Sequence, residues 1–304
     1  MKKRESNKLT EQILLVLENR KHSSLRGIAP KIGLSSTWFR KKTLKMRREG
    51  IIQSWQLVLN PSLYQQRIFF LLLKTNPNEP TVVSELLNNY DQGSLSTLEG
   101  ITGEFSLFCR FHFPSTTEFL DSLDHLYGLI GETGFQKYQM IEVIKVHKER
   151  GIFVPEMNDT LKPKELKKLN LIQKLGESSD LPPSTYDIAE KLDESQPATY
   201  RRLKRWENKH IILGYSLATS YWQENYLHAY IQVKAPLGKY KSAIDFCLKE
   251  NRIVHIYRTN QEYSLLLKTR HLTLSDLNDF LKSLYKYAEV EDTLTRIVLD
   301  NLRG

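Results

Sequence analysis

Apolar residues at Leu9, Ile13, Leu14, Val16 and Leu17 recur at helical spacing, and polar residues 19–22 end that helix. A second, short helix is expected over residues 25–32, capped by Ser23 or Ser24 and stopped by Gly33. Gly27 and Pro30 predict that it is short or irregular, because one loosens the backbone and the other removes a donor. A third helix is expected over residues 36–49, with Ser35 as its N-cap and Gly50 as its stop. Phe39, Thr43 and Met46 share its packed face, while Arg40, Lys41, Lys45 and Arg48 point mostly away. A strand over 51–59 completes a winged helix-turn-helix.

After Asn60 and Pro61 the period changes. Residues 67–75 read as a buried strand, and 81–89 as a helix after a turn at 77–80. Strands at 94–100 and 104–111 flank a Thr102-Gly103 turn; a helix at 116–126 and a strand at 139–147 follow, the strand with Met140, Glu142 and Ile144 on one face. The order β-α-β-β-α-β is the ferredoxin-like motif. Residues 148–158, broken by Gly151 and Pro155, connect to a second cycle, with 152–154 able to dock as an extra strand.

That second cycle has helices at 163–175, at 184–192 with a capping-box start (Ser184, Asp187), and at 196–209. Tyr200, Leu203 and Trp206 are read as the inner face of the last of these, and 211–218 as its wing. Segments 227–235, 239–250, 252–259, 262–269, 274–288 and 290–299 repeat the β-α-β-β-α-β order. An offset of 160 residues aligns Ser35 with Ser195 and Ile28 with Ile188; one of 158 aligns Glu104 with Glu262 and Leu107 with Leu265. The expected fold is α+β, two winged helix-turn-helix domains alternating with two ferredoxin-like βαββαβ domains. The expected boundaries are 1–59, 60–148, a linker at 149–161, 162–219 and 220–304.

Charge then narrows the function. A formal charge of +9 and a pI near 9.3 favour an anionic partner, most simply nucleic acid. The longest apolar run, residues 68–73, falls far short of the roughly 20 residues a membrane span needs. No apolar segment follows the basic start, so a cytoplasmic protein without a secretory signal is expected. Cys109 and Cys247 sit in apolar patterns and read as buried thiols, and neither a metal nor a cofactor is expected. There is no P-loop and no His-Glu-x-x-His, and the chain is not read as an enzyme.

The charge concentrates on the two helices at 36–49 and 196–209. Residues near a recognition helix's start meet base edges, which places Ser36, Thr37, Trp38 and Arg40 there, with Lys41, Lys45 and Arg48 toward phosphate. In the second copy the base-edge positions are Gln196, Ala198, Thr199 and Arg201, joined by Arg202 and Arg205. Trp38 and Trp206 are read as packing residues. The two sets differ, so the halves read different half-sites or one holds only backbone.

The stretch from Ser24 to Ser35, the basic helix after it, Gly50-Ile51-Ile52 and Thr102-Gly103-Glu104-Phe105 resemble the Lrp/AsnC (leucine-responsive, feast/famine) transcription regulators. The resemblance implies a tandem duplication of that family's winged-helix plus effector-domain unit, and a sequence-specific regulator binding double-stranded DNA. It also implies an amino-acid-like effector at Thr102, Gly103 and Glu104; the second copy departs from this with Asn260 and Gln261. Pairing of the ferredoxin-like domains would make either an intramolecular pseudo-dimer or a homo-oligomer. The alternative is a siroheme-decarboxylase-like tetrapyrrole enzyme, which Val254–Arg258 and Glu262-Tyr263 partly resemble, with His255 and Tyr257 as proton donors.

Overall fold

In the computed structural model, residues 2–18, 20, 25, 28–75, 81–157, 161–236 and 238–303 are described. The expected cap at Ser23 or Ser24, Gly27 and the turn at 77–80 lie outside them. In chain order the first copy comprises α1 (Lys2–Glu18), a 3-10 helix (Ala29–Ile32), α2 (Ser36–Arg48), β1 (Ser54–Leu59), β2 (Arg67–Thr75), α3 (Thr81–Asn89), β3 (Leu95–Ile101), β4 (Leu107–Phe113), α4 (Thr116–Gly134), β5 (Phe135–Glu149) and β6 (Ile152–Phe153). The second comprises α5 (Pro163–Ser178), α6 (Thr185–Leu192), α7 (Gln196–Asn208), β7 (Ile212–Ala218), α8 (Tyr221–Asn225), β8 (Leu227–Lys234), α9 (Tyr240–Lys249), β9 (Ile253–Thr259), β10 (Leu265–His271), α10 (Leu274–Tyr287) and β11 (Asp292–Arg303).

Local chemistry explains where the copies differ. Around Pro30 the chain forms only the 3-10 helix, closed by Gly33 at φ 72°. Its counterpart α6 is a full helix, because Ser184 and Asp187 form a reciprocal capping box. Asp193, φ 53°, takes the left-handed position there. Ser35 and Ser195 each cap their basic helix by accepting a backbone N–H, from Trp38 at 3.3 Å and Ala198 at 3.4 Å.

One compact unit collects both winged helices, residues 1–63 and 149–224. Its wings β1 and β7 pair antiparallel, with Ser54 opposite Ala218 and Val58 opposite Gly214. The supporting helices are exchanged: α5 packs on β1, and α1 on β7. Leu57 N–H donates to Gln173 Oε1 of α5 at 2.8 Å, and Arg20, just past α1, bridges Tyr215 of β7 through bonds of 3.0 and 2.7 Å. The core around Leu169, Ile172, Ile188, Leu203 and Trp206 accordingly takes in Leu57 and Leu59 of the first copy.

A second compact unit, residues 64–148 and 225–304, holds the ferredoxin-like copies. Its strands run β2-β4-β3-β11-β8-β10-β9-β5, and a β2–β5 pairing closes them into a ring. Each copy's last strand is shared: β5 lies between its own β2 and the other copy's β9, and β11 between its own β8 and the other copy's β3. The two copies thus pair inside one chain. Helices α3 and α4 cover one apolar layer, α9 and α10 another. A third lies among Phe70, Phe108, Tyr230, Tyr257 and Leu266. Burying one such aromatic side chain is worth about 1.5–3 kcal/mol.

Helix α4 and strand β5 run longer than their sequence pattern predicts. The wing β1 starts at Ser54 rather than at residue 51. On α7 the inner face is Thr199, Leu203 and Trp206, and Tyr200 stands 54% exposed, which corrects the sequence reading. Among the described residues, no helix is long and apolar enough to cross a membrane.

Candidate nucleic-acid interface

Helix α2 separates its faces cleanly. Phe39, Thr43 and Met46 are buried, while Ser36, Thr37, Trp38, Arg40, Lys41, Lys45 and Arg48 are exposed. Among the described residues, Arg40, Lys41 and Arg48 enter no ion pair. Lys45 reaches Glu49 at 3.6 Å, an exposed i,i+4 pair worth only about 0.3–0.5 kcal/mol. Trp38, read as packing, is 41% exposed.

Arg47 was not singled out by sequence and faces the other way. Its guanidinium donates to the carbonyls of Ile52 (3.2 Å), Gln53, Glu177 (2.8 Å) and Ser179 (3.1 Å). It ties the end of α2 to the start of the wing and to the exchanged helix α5. Gly50, at φ 76°, makes the turn between them.

Helix α7 is built on the same plan with different charge. Gln196, Arg201 and Arg205 are exposed. Thr199 is fully buried and its hydroxyl donates to Glu194 at 3.5 Å, so it packs rather than faces outward. Arg202 is held by Glu165 (2.5 Å) and Glu194 (2.8 Å). Burial pulls the Arg202 guanidinium down, but these two carboxylates outweigh it and leave it above the ordinary arginine value. Glu194 is held below the ordinary carboxylate range: burial would raise it, and Lys168 and Arg202 prevail. Thr199 and Arg202 therefore leave the candidate set, a correction that needed the fold of α5 over α7 to become visible.

The Thr102–Gly103–Glu104 turn lies at the seam between the ferredoxin-like copies. Thr102 N–H donates to Ile297 O at 2.9 Å, and its hydroxyl accepts Ile297 N–H at 2.9 Å. Gly103 is exposed at φ 106°, and Glu104 pairs with Lys137 at 2.5 Å. In the second copy Asn260 plays the same bracing part, exchanging bonds of 3.2 and 3.1 Å with the backbone of Glu142. His255 and the buried Tyr257 share a 3.0 Å hydrogen bond. Cys109 and Cys247 are buried free thiols; burial pushes Cys109 up and Cys247 to about 12.

No protein-family model matches the chain. An uncharacterized HTH-type transcriptional regulator of Pyrococcus abyssi is 28% identical over 115 residues, which is 38% of this chain and 78% of that protein. The HTH-type transcriptional regulator FL11 of the same organism is 24% identical over 144 residues, 47% of this chain and 92% of FL11. Over part of its length the chain is thus similar to HTH-type transcriptional regulators. The winged-helix and ferredoxin-like unit occurs twice in this chain. Among solved structures the siroheme decarboxylase NirDL superposes with a TM-score of 0.64, covering 97% of this chain and 92% of its own at 12% identity. At that identity the likeness is one of fold: the whole winged-helix and ferredoxin-like tandem has a counterpart.

Proposed function

We propose that this chain is a sequence-specific regulator of transcription of the Lrp/AsnC kind that binds double-stranded DNA through α2 and α7. The observation that carries the reading is α2 itself. Its inner face is fixed by Phe39, Thr43 and Met46, and its outer face presents Arg40, Lys41, Lys45 and Arg48 to solvent. In a major groove, Ser36, Thr37 and Arg40 near the helix start would meet base edges, and the remaining cations phosphates. On α7 the corresponding set is Gln196, Arg201 and Arg205. Selection of bound duplexes from a random pool, followed by shift assays at several salt concentrations, tests this. An enriched motif bound with a steep salt dependence is expected; recovery of unenriched sequence would overturn it.

An amino-acid-like effector fits best at the Gly103 turn, where Gly103 and Glu104 are exposed. Calorimetric titration with an amino-acid panel, against a Gly103→Val variant, tests that part separately. The tetrapyrrole-enzyme reading has likeness of fold on its side, and the first copy offers Thr97 and Glu99 where the second has His255 and Tyr257.

A further inference from the structure

The two recognition helices are unequal in the charge they can offer. Glu165 of α5 accepts from three donors of α7: Arg202 Nη1 at 2.5 Å, Arg205 Nη2 at 3.3 Å and Trp206 Nε1 at 3.1 Å. Glu194 takes the rest of the Arg202 fork, Nε at 3.2 Å and Nη2 at 2.8 Å, and pairs with Lys168 as well. Lys204 lies 2.6 Å from Glu207.

At the 160-residue offset the first copy has Leu34 for Glu194 and Arg47 for Glu207, and keeps an acid, Glu5, for Glu165; the Glu5 side chain lies outside the described residues. Its four outward positions are Arg40, Lys41, Lys45 and Arg48; the same positions of α7 carry Tyr200, Arg201, Arg205 and Asn208. One helix shows four cations to solvent. The other shows two; Arg205 of these is shared with the half-buried Glu165 at 3.3 Å, where on the first helix Lys45 has only the looser, exposed Glu49 at 3.6 Å.

Resting on the DNA-binding reading above, we infer that the grip on DNA is lopsided. Helix α2 supplies most of the phosphate neutralisation. Helix α7, its arginines occupied by its own carboxylates, docks with few phosphate contacts and reads through Gln196, Tyr200 and Arg201. A cation already bonded to two carboxylates must release them before a phosphate gains it, so Arg202 adds little to affinity. The site on DNA then has one strongly held half and one weakly held half.

The test compares matched pairs of variants on one selected duplex. Lys41→Ala with Lys45→Ala should flatten the plot of log K against log salt by about 2. Arg201→Ala with Arg205→Ala, at the equivalent positions, should flatten it by about 1 or less. Glu165→Gln with Glu194→Gln should unmask α7, steepening the slope by about 1 and tightening binding several-fold at low salt. Equal losses from the first two pairs, or an unchanged slope in the third with folding confirmed by circular dichroism, overturn the inference. Hydroxyl-radical footprinting of the unaltered chain needs no variant: one dominant protected half-site is expected, and two equal ones overturn it. A chain that shifts no duplex at low salt would sink the DNA-binding reading itself, a different result from equal losses.

Discussion

The Glu99 carboxylate lies 2.7 Å from the Lys268 ammonium and accepts the Tyr230 hydroxyl at 2.5 Å, in the closed strand ring. At the 158-residue offset, Glu99 corresponds to Tyr257 and Lys268 to Arg110. Arg110 stands over the Tyr257 ring at 5.4 Å. The two seams between copies therefore carry an ion pair on one side and a cation–π contact on the other. Burial would raise Glu99, but Lys268 and Tyr230 together hold it below the ordinary carboxylate range. Its contribution is present above the ordinary carboxylate pKa and is lost as pH falls below it. Lys268→Met should cost about 3–5 kcal/mol, because it strands a buried carboxylate. Adding Glu99→Gln should recover most of that loss, and urea unfolding of the single and double variants measures it.

Acid should weaken the fold through buried histidine. His271 is fully buried, with Nε2 2.9 Å from the Thr269 hydroxyl, and burial pushes it to about 4 against the pull of Asp276. Its unfolded value is near 6.5. The unfolded chain takes up the proton first, so stability is full above pH 6.5 and declines between 6.5 and 4, by up to about 3 kcal/mol. His147, 2.9 Å from the Tyr240 hydroxyl, is pushed the same way, also to about 4. A His147→Gln, His271→Gln chain should show a flatter denaturation midpoint from pH 7 to pH 5; an identical slope would refute the assignment.

The end of each basic helix tests backbone strain without side-chain contact. A Cβ on Gly50 would meet nothing within 4 Å, so Gly50→Ala should cost only the left-handed penalty, about 1 kcal/mol. His210 holds the same position at φ 55°. His210→Gly should therefore leave stability unchanged or raise it by about 0.5 kcal/mol, strain relief offsetting the freer unfolded chain. Thermal melts should fall for Gly50→Ala and hold or rise for His210→Gly.

Gly176 permits a close approach of α5 to β1. A Cβ there would sit 2.4 Å from the Trp55 carbonyl oxygen. Gly176→Ala should cost about 1–3 kcal/mol by forcing α5 off β1. Fluorescence of Trp55, which is 2% exposed, should shift toward the solvated value. An unshifted spectrum at full stability would show that the strand gives way freely.

Much of this architecture is legible in the residues. The runs at 67–75 and 81–89 become β2 and α3 at those bounds, since Ile68 through Leu73 are all buried and Val82 and Leu86 share a face. The period on α7 misleads because tyrosine is a more obvious core residue than threonine. Copying the first helix's face by the 160-residue offset would have chosen Thr199. Which charges of α7 remain available is invisible in the chain order: Glu165 stands 37 residues before Arg202, and only the packing of α5 brings them together. The exchange of α1 and α5 is equally hidden, because an apolar stripe states that a helix packs but not against which strand.

That exchange also sets an order of events on the ribosome. The helix that covers Trp55 ends at Ser178, so the first reading head stays unfinished until well over half of the chain has been made. A nascent chain stalled after β5 would carry a wing with nothing laid over it.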